Sequence, residues 1–357
     1  MATTAASLRK LAENPPSNAA ERRALYDAAK AVMFAVEAPI DTEHRLFFVA
    51  SSSGSRVEPY YYRLLRYVAA IGLVKEVSEG TFAASNLTAT AATKSFKLGL
   101  DFHEGSKNLL TLPKYLSETG YRNPTDPNTS LFAKIHGAGI MDLLQQNPER
   151  AATVFEYMAE HRKHLPTWMN DAVSTKDFEM SDIDHNSNRI MMVDVGGGSG
   201  HQCFALRAAF PQLRGKMVVQ DITVMVDMID KEEASAIDLE PMAHDFFTPQ
   251  PVKHAKVYYM RNVLHDWSNE PAAKILQQLR PAMTADSVVV IDEIVIPPTG
   301  ANHKLLHYDF AMMSTASSME RTEKQWRALV ESCGMKLRDI WVYDEDMQWA
   351  LIVAVPN

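Results

Sequence analysis

The stretch IMMVDVGGGSGHQCFALRAAF, residues 190–210, decides the fold. Its first six residues are an apolar run without polar alternation, as expected of a parallel strand buried on both faces. Five small residues follow, Gly196 to Gly200, and then a helical pattern begins at His201. Glycines allow a tight turn there and let backbone N–H groups approach a ligand closely. A dinucleotide fingerprint needs G-x-G-x-x-G/A; counted from Gly196 it ends on His201, and from Gly198 on Cys203, so both counts fail. Alone, such a loop is equally well a bare strand-to-helix turn.

Working outward, KMVVQDI, KVYYMRNV and SVVVIDEIVI are further bounded, β-branched runs, with HQCFALRAAF and PAAKILQQLRPAM as helical stretches between strands. This alternation predicts a doubly wound α/β domain. The tail RDIWVYDEDMQWALIVAVPN reads as strand, turn and final strand. Asp221 ends the strand after the glycine loop, where an acidic residue can take both hydroxyls of a ribose. Asp245-Phe246 follows the short segment MAH, beyond a third possible strand edge.

KVYYM runs into RNVLHDWSNE, placing His265 just past a carboxyl strand end, where open α/β sheets build their sites. A lone histidine is more often a surface or satisfied core residue. Glu293, however, closes the buried run SVVVIDE, and a carboxylate there needs a partner. Glu320, in MERTEKQW, reads as opening a helix, where the dipole alone would favour it. Asp266 either hydrogen-bonds a substrate or caps the next turn. HYDFAMMSTASSM (307–319), with Met312 and Met313, is either helix core or an apolar wall for a flat ring. Phe132, His136 and Met141, on preceding helices, are placed to close such a pocket.

With these residues in view, D-x-G-G-G-S-G from Asp194 resembles the first motif of class I S-adenosylmethionine-dependent methyltransferases. HDW at 265–267, Glu293 near a Pro-containing loop and ERT at 320–322 resemble the plant caffeate/flavonoid-type O-methyltransferases and their fungal secondary-metabolite relatives. The resemblance covers roughly residues 100–357. It implies a Rossmann-like sheet, S-adenosyl-L-methionine as cofactor, a small aromatic substrate, and His265 as base between Glu293 and Glu320. On the cofactor it places Asp194, Gly196, Gly198, Asp221 at the ribose, Asp245 and Phe246 at the adenine, and Arg261. On the acceptor it places Asp266, Trp267, Met312, Met313, Phe132 and His136. It implies a homodimer and no metal. The chemistry is coherent: a phenol of pKa ~10 needs a base at the moment of attack, and a carboxylate can orient an imidazole and stabilise its cation. Rival readings are a relative that binds the same cofactor but catalyses dehydration or a pericyclic step, a nucleotide-dependent oxidoreductase, and a winged-helix regulator.

The 357 residues suggest two domains, 1–105 and 106–357, with an ordinary globular balance of 46% hydrophobic and 22% charged residues. A formal charge of −8 argues against a nucleic-acid partner. Two distant cysteines, Cys203 and Cys333, resemble neither a disulfide framework nor a metal spacing, and no His/Asp cluster suggests a metal. MATTAASLRKLAENPP lacks the apolar core of a signal peptide, and no apolar run approaches the ~18 residues of a membrane span, so a soluble cytoplasmic protein is expected. Residues 5–38 read as two helices parted by Pro15-Pro16. YYYRLLRYVAAIGLVKEV (60–77) reads as a helix ending near Gly72, followed by a small hairpin. That winged-helix-like layout serves DNA binding or dimerisation and substrate capping, and the acidic charge favours the latter. Against the family it resembles, this module is shortened, with only DTEHRLFFVASSSGSR between its helices. Residues 100–170 read as mostly helical, with a break at Asn147-Pro148.

Overall fold

Two antiparallel strands, β1 (Val74–Ser78) and β2 (Thr81–Ala84), form the expected small hairpin. The structure, a computed structural model, describes residues 74–78, 81–84, 88, 106–162, 167–170, 189–213 and 215–357. The helices expected over 5–38 and 60–73, and the shortened module they form, lie outside the described residues.

Among the described residues four helices follow: α1 (Ser106–Glu118), α2 (Leu131–His136), α3 (Ile140–Gln146) and α4 (Pro148–Arg162). Ser130 caps α2 through the Ala133 N–H, and Gly137, at φ +81°, ends it in the left-handed conformation that favours glycine. Asn147 separates α3 from α4, and Pro148 takes the first helical position of α4.

The remaining chain alternates strand and helix. Strands β3 (Ile190–Val195), β4 (Lys216–Asp221), β5 (Leu239–Ala243), β6 (Val257–Arg261) and β7 (Val288–Ile296) pair in parallel. Between them lie α5 (His201–Ala209), α6 (Thr223–Val226), α7 (Lys231–Ala236) and α8 (Asn269–Leu279). After β7 come α9 (His303–Ala316), the two-residue β8 (Arg321–Thr322), α10 (Glu323–Ser332), β9 (Met335–Asp344) and β10 (Trp349–Pro356). The order across the sheet is β5-β4-β3-β6-β7-β10-β9, with β8 paired to β7 and β10 antiparallel to both neighbours. The Rossmann-like α/β architecture expected from the sequence is therefore present.

The sheet is buried on both faces, which explains why its strands read as apolar runs. Along β6, Tyr258 and Met260 enter one core and Val257 and Tyr259 the other; along β7, Val289 and Ile291 oppose Val288 and Val290. The chain steps from β3 outward to β4 and β5, then returns to β6 on the other side of β3. That reversal opens a crevice at the carboxyl ends of β3 and β6, where the glycine loop and His265 both lie.

One local expectation fails. Glu320 does not open a helix: α10 begins after Thr322, whose hydroxyl accepts the Gln325 N–H while Gln325 returns a bond to the Thr322 backbone. This capping box leaves Glu320 outside the helix and buried.

Candidate active site

The glycine loop is fastened to the sheet before any ligand is considered. The Gly196 and Gly197 N–H groups donate to the Gln220 carbonyl of β4, at 2.8 and 3.1 Å. Gly196 has φ +72°, and a Cβ there would stand 2.8 Å from Val263 Cγ2. A Cβ on Gly197 would meet the Asp194 carboxyl at 2.5 Å. Asp194 is thus buried beneath the loop, where Cys203 Sγ donates to its Oδ2 at 3.7 Å; any cofactor role it has acts through the loop. Burial and the Asp194 charge push the Cys203 thiol up.

Asp221 stands at the end of β4, and its Oδ2 accepts the Gly198 N–H at 2.8 Å while Oδ1 accepts that of Ile222 at 2.7 Å. Phe246 reaches the loop as well, with Cε1 3.7 Å from the position a Gly196 Cβ would take. Asp245 is exposed, and its Oδ1 accepts the Phe247 N–H. Trp267 meets Phe246 and Phe247 edge-on, at centroid distances of 6.1 and 4.9 Å. Arg261, buried at the end of β6, donates to Gln202 Oε1 in the first turn of α5. A glycine-rich loop, a strand-end carboxylate and an aromatic face fit an adenosine-bearing group, and Asp221, Phe246 and Arg261 are the residues that could hold its ribose, its base and its charged end.

Chain direction changes abruptly after β6. Asn262 has φ +53°, a left-handed conformation that asparagine tolerates better than most residues, and the chain then forms the 3-10 turn Leu264–Asp266. Glu293, fully buried on β7, collects that turn: its Oε1 accepts the N–H groups of Val263, Leu264 and His265, at 3.1, 2.7 and 3.2 Å. His265 Nδ1 lies 2.8 Å from Glu320 Oε1, and Asp266 Oδ1 lies 3.6 Å from Nε2. Burial alone would lower the imidazole, but the charges of Asp266, Glu320 and Glu293 outweigh it and hold His265 up at about 10. Burial pushes Glu293 up to about 7, against the pull of the His265 charge.

His265, Glu293 and Glu320 each offer a ligand atom within 4.8 Å of the others, a donor set that suits a metal ion. These are the three residues that the sequence resemblance grouped, brought together although up to 55 residues apart. Hydrogen bonds give these atoms another use, with Glu293 Oε1 on three amides and Glu320 Oε1 on the ring.

The acceptor side is less uniform than expected. Met312 and Met313 are half-buried on α9, which packs against both α2 and the His265 turn. Phe132 is committed to a small core with Ile140, Leu144 and Val154, and its ring lies 4.2 Å from that of His136. Met141 is exposed. Trp267 packs against Phe246 and Phe247. A cavity of about 540 Å³ is lined by residues between Tyr115 and Thr129 and by none of the candidate residues.

Two residues escaped the sequence reading. Arg321 is fully buried and donates to the carbonyls of Leu264 and Trp267 and to Asn269 Oδ1, tying down the His265 turn from outside. Asp309 of α9 accepts the Glu320 N–H at 2.9 Å, fixing the backbone of the residue that meets the imidazole. The signals were an arginine inside ERT and a lone acid inside an apolar helix.

Comparison with known proteins agrees with this fold. Residues 120–336 match the family model described as O-methyltransferase domain. The chain is 34% identical over 308 residues to demethylsterigmatocystin 6-O-methyltransferase of Aspergillus parasiticus, covering 83% of this chain and 75% of the relative. Two solved structures resemble it over its whole length. One, described as a pericyclic reaction enzyme, is 26% identical with a TM-score of 0.82 over 99% of that chain. The other, a LepI variant in complex with SAH and a substrate analogue, is 27% identical with a TM-score of 0.85 over 100% of that chain. Motif order, strand order and these matches lead to one assignment: the chain belongs to the O-methyltransferase family and is an enzyme that uses S-adenosylmethionine.

Proposed function

We propose that this enzyme methylates a hydroxyl, phenolic in character, on a small aromatic molecule of the secondary-metabolite type, with His265 receiving the acceptor's proton. The observation that carries this reading is the His265–Glu320 pair. Because Nδ1 is engaged by Glu320, Nε2 is the nitrogen left for the acceptor oxygen. S-adenosylmethionine supplies an electrophilic methyl group. The chain's own contribution is to hold the hydroxyl at Nε2, take its proton and stabilise the resulting imidazolium between carboxylates. An imidazolium held up at about 10 is close to the ~10 of a phenol, so moving the proton between them costs little. A more basic aliphatic alcohol would gain far less from it.

The test is His265→Ala assayed with a panel of phenols, following methylated product by mass and cofactor affinity by calorimetry. Loss of product with affinity kept within about twofold supports the role, since a general base contributes typically ~10²–10⁴-fold. A tenfold or greater loss of affinity would make His265 structural.

A second reading comes from the solved neighbour described as a pericyclic reaction enzyme. A pericyclic step needs no proton acceptor, so His265→Ala would leave it largely intact, and product would form without consumption of S-adenosylmethionine.

A further inference from the structure

Arg261 is held by a buried cluster that takes no part in proton transfer. It closes β6 opposite Asp292 of β7 in the parallel ladder. Asp292 is fully buried, and both of its oxygens are engaged: Oδ2 accepts the Tyr259 hydroxyl at 2.5 Å and Oδ1 that of Tyr343 at 2.7 Å. Arg261 Nε lies 3.6 Å from Oδ2. Trp168 Nε1 donates to the same Tyr259 hydroxyl at 3.4 Å. On its far side Arg261 Nη1 donates to Gln202 Oε1 at 3.1 Å, and its guanidinium lies 5.7 Å from the centre of the Trp349 ring.

The position of this cluster gives it a purpose. Gln202 is the second residue of α5, directly after the glycine loop. Among the described residues, Asp194 and Asp221 at that loop are acidic, and Arg261 reaches its far end as a cation. The amino-acid end of S-adenosylmethionine carries a carboxylate that this acidic setting would otherwise repel. An unrestrained arginine would have to be ordered at the moment of binding, at a cost in entropy. A buried carboxylate locked by two phenols fixes the guanidinium beforehand, and the pair stays ionised as a unit because removing either charge strands the other.

We infer that Asp292 is a positioning residue for cofactor recognition: with Tyr259 and Tyr343 it holds Arg261 against Gln202 so that the guanidinium receives the carboxylate of the cofactor's amino-acid end. This rests on the cofactor assignment and not on the identity of the acceptor.

The experiment compares two ligands by calorimetric titration, S-adenosylhomocysteine and 5′-methylthioadenosine, which keeps the adenosine and sulfur but lacks the amino-acid portion. Wild type should bind both. Asp292→Asn and Arg261→Gln should each weaken S-adenosylhomocysteine about tenfold, the worth of one charge-assisted hydrogen bond, while leaving 5′-methylthioadenosine within about twofold. Tyr343→Phe keeps the Asp292 charge but removes one of the two hydroxyls that hold its carboxylate, and should show the same selectivity at about threefold. It carries the test alone if Asp292→Asn does not fold. Equal weakening of both ligands, or unchanged or tighter binding of S-adenosylhomocysteine by the folded variants, overturns the proposal. Failure of the wild type to bind either ligand would overturn the cofactor assignment along with it.

Discussion

Glu293 holds His265 by its main chain and not by its ring. Glu293 Oε1 accepts the His265 N–H, with those of Val263 and Leu264, whereas the imidazole Nδ1 turns to Glu320. Two carboxylates that look equivalent in sequence therefore do different work: one shapes the turn, the other orients the ring.

The two should separate on substitution. Glu320→Gln removes the charge from the ring's partner and should cut kcat by about 10²-fold, in the range of a lost acid–base contribution, with a small change in Tm. Glu293→Ala leaves three N–H groups without an acceptor, the two buried ones costing about 1–3 kcal/mol each, so its chief effect is lost stability. Thermal unfolding beside steady-state kinetics reads both. Identical behaviour of the two variants would show that the division of labour is wrong.

Activity and stability should run in opposite directions with pH. A proton acceptor must be neutral, and His265 is held up at about 10, so kcat/KM should climb through pH 7 to 9 without levelling near 7. The stability sign is the reverse. Folding raises the imidazole from its ordinary value, so the stabilisation is fully present below about 6.5 and is lost as pH rises through about 10. Kinetic profiles and Tm measured across the same buffers test this. A rate plateau by pH 7 would place the imidazole at its ordinary value.

Asp221 links the cofactor loop to β4 through the Gly198 N–H. Asp221→Ala should weaken S-adenosylhomocysteine binding about tenfold or more, through loss of one charged hydrogen-bonding group and of the loop's anchor, while the sheet remains folded. Titration calorimetry measures it. Unchanged affinity would remove Asp221 from the ribose.

The sheet was legible because its evidence is local. Runs such as Ile190–Val195 and Val288–Ile296 are long, β-branched and bounded, and the glycine loop marks a strand end. His265 and Glu293 were found because each is a polar residue where a buried strand ends, and Glu320 through the ERT segment that it opens. What stayed hidden depends on contacts across the chain. Asp309 meets Glu320 across a helix–loop junction, and Trp267 packs against Phe246 and Phe247. The helix start was misplaced for a reason that the sequence did contain: Thr322 and Gln325 form the capping box, so the acid two residues earlier is free for another role.

Arg321 offers the most demanding test of the turn. It spans the His265 turn, donating Nη1 to the Leu264 carbonyl at 2.9 Å, Nη2 to the Trp267 carbonyl at 2.7 Å and Nε to Asn269 Oδ1 at 3.0 Å. Its guanidinium also lies 5.0 Å from the centre of the Trp326 ring. Burial holds its pKa down, against the pull of Glu293 and Glu320, and its charge in turn pulls Glu293 down against burial. Lysine cannot reproduce three donors in a fixed planar fork. Arg321→Lys should therefore lose about 2–4 kcal/mol of stability, as for a broken buried network, and lower kcat more than it raises KM for the cofactor. Chemical denaturation and a kcat against KM comparison decide the matter. A variant of wild-type stability and turnover would mean that Glu293 alone fixes the turn.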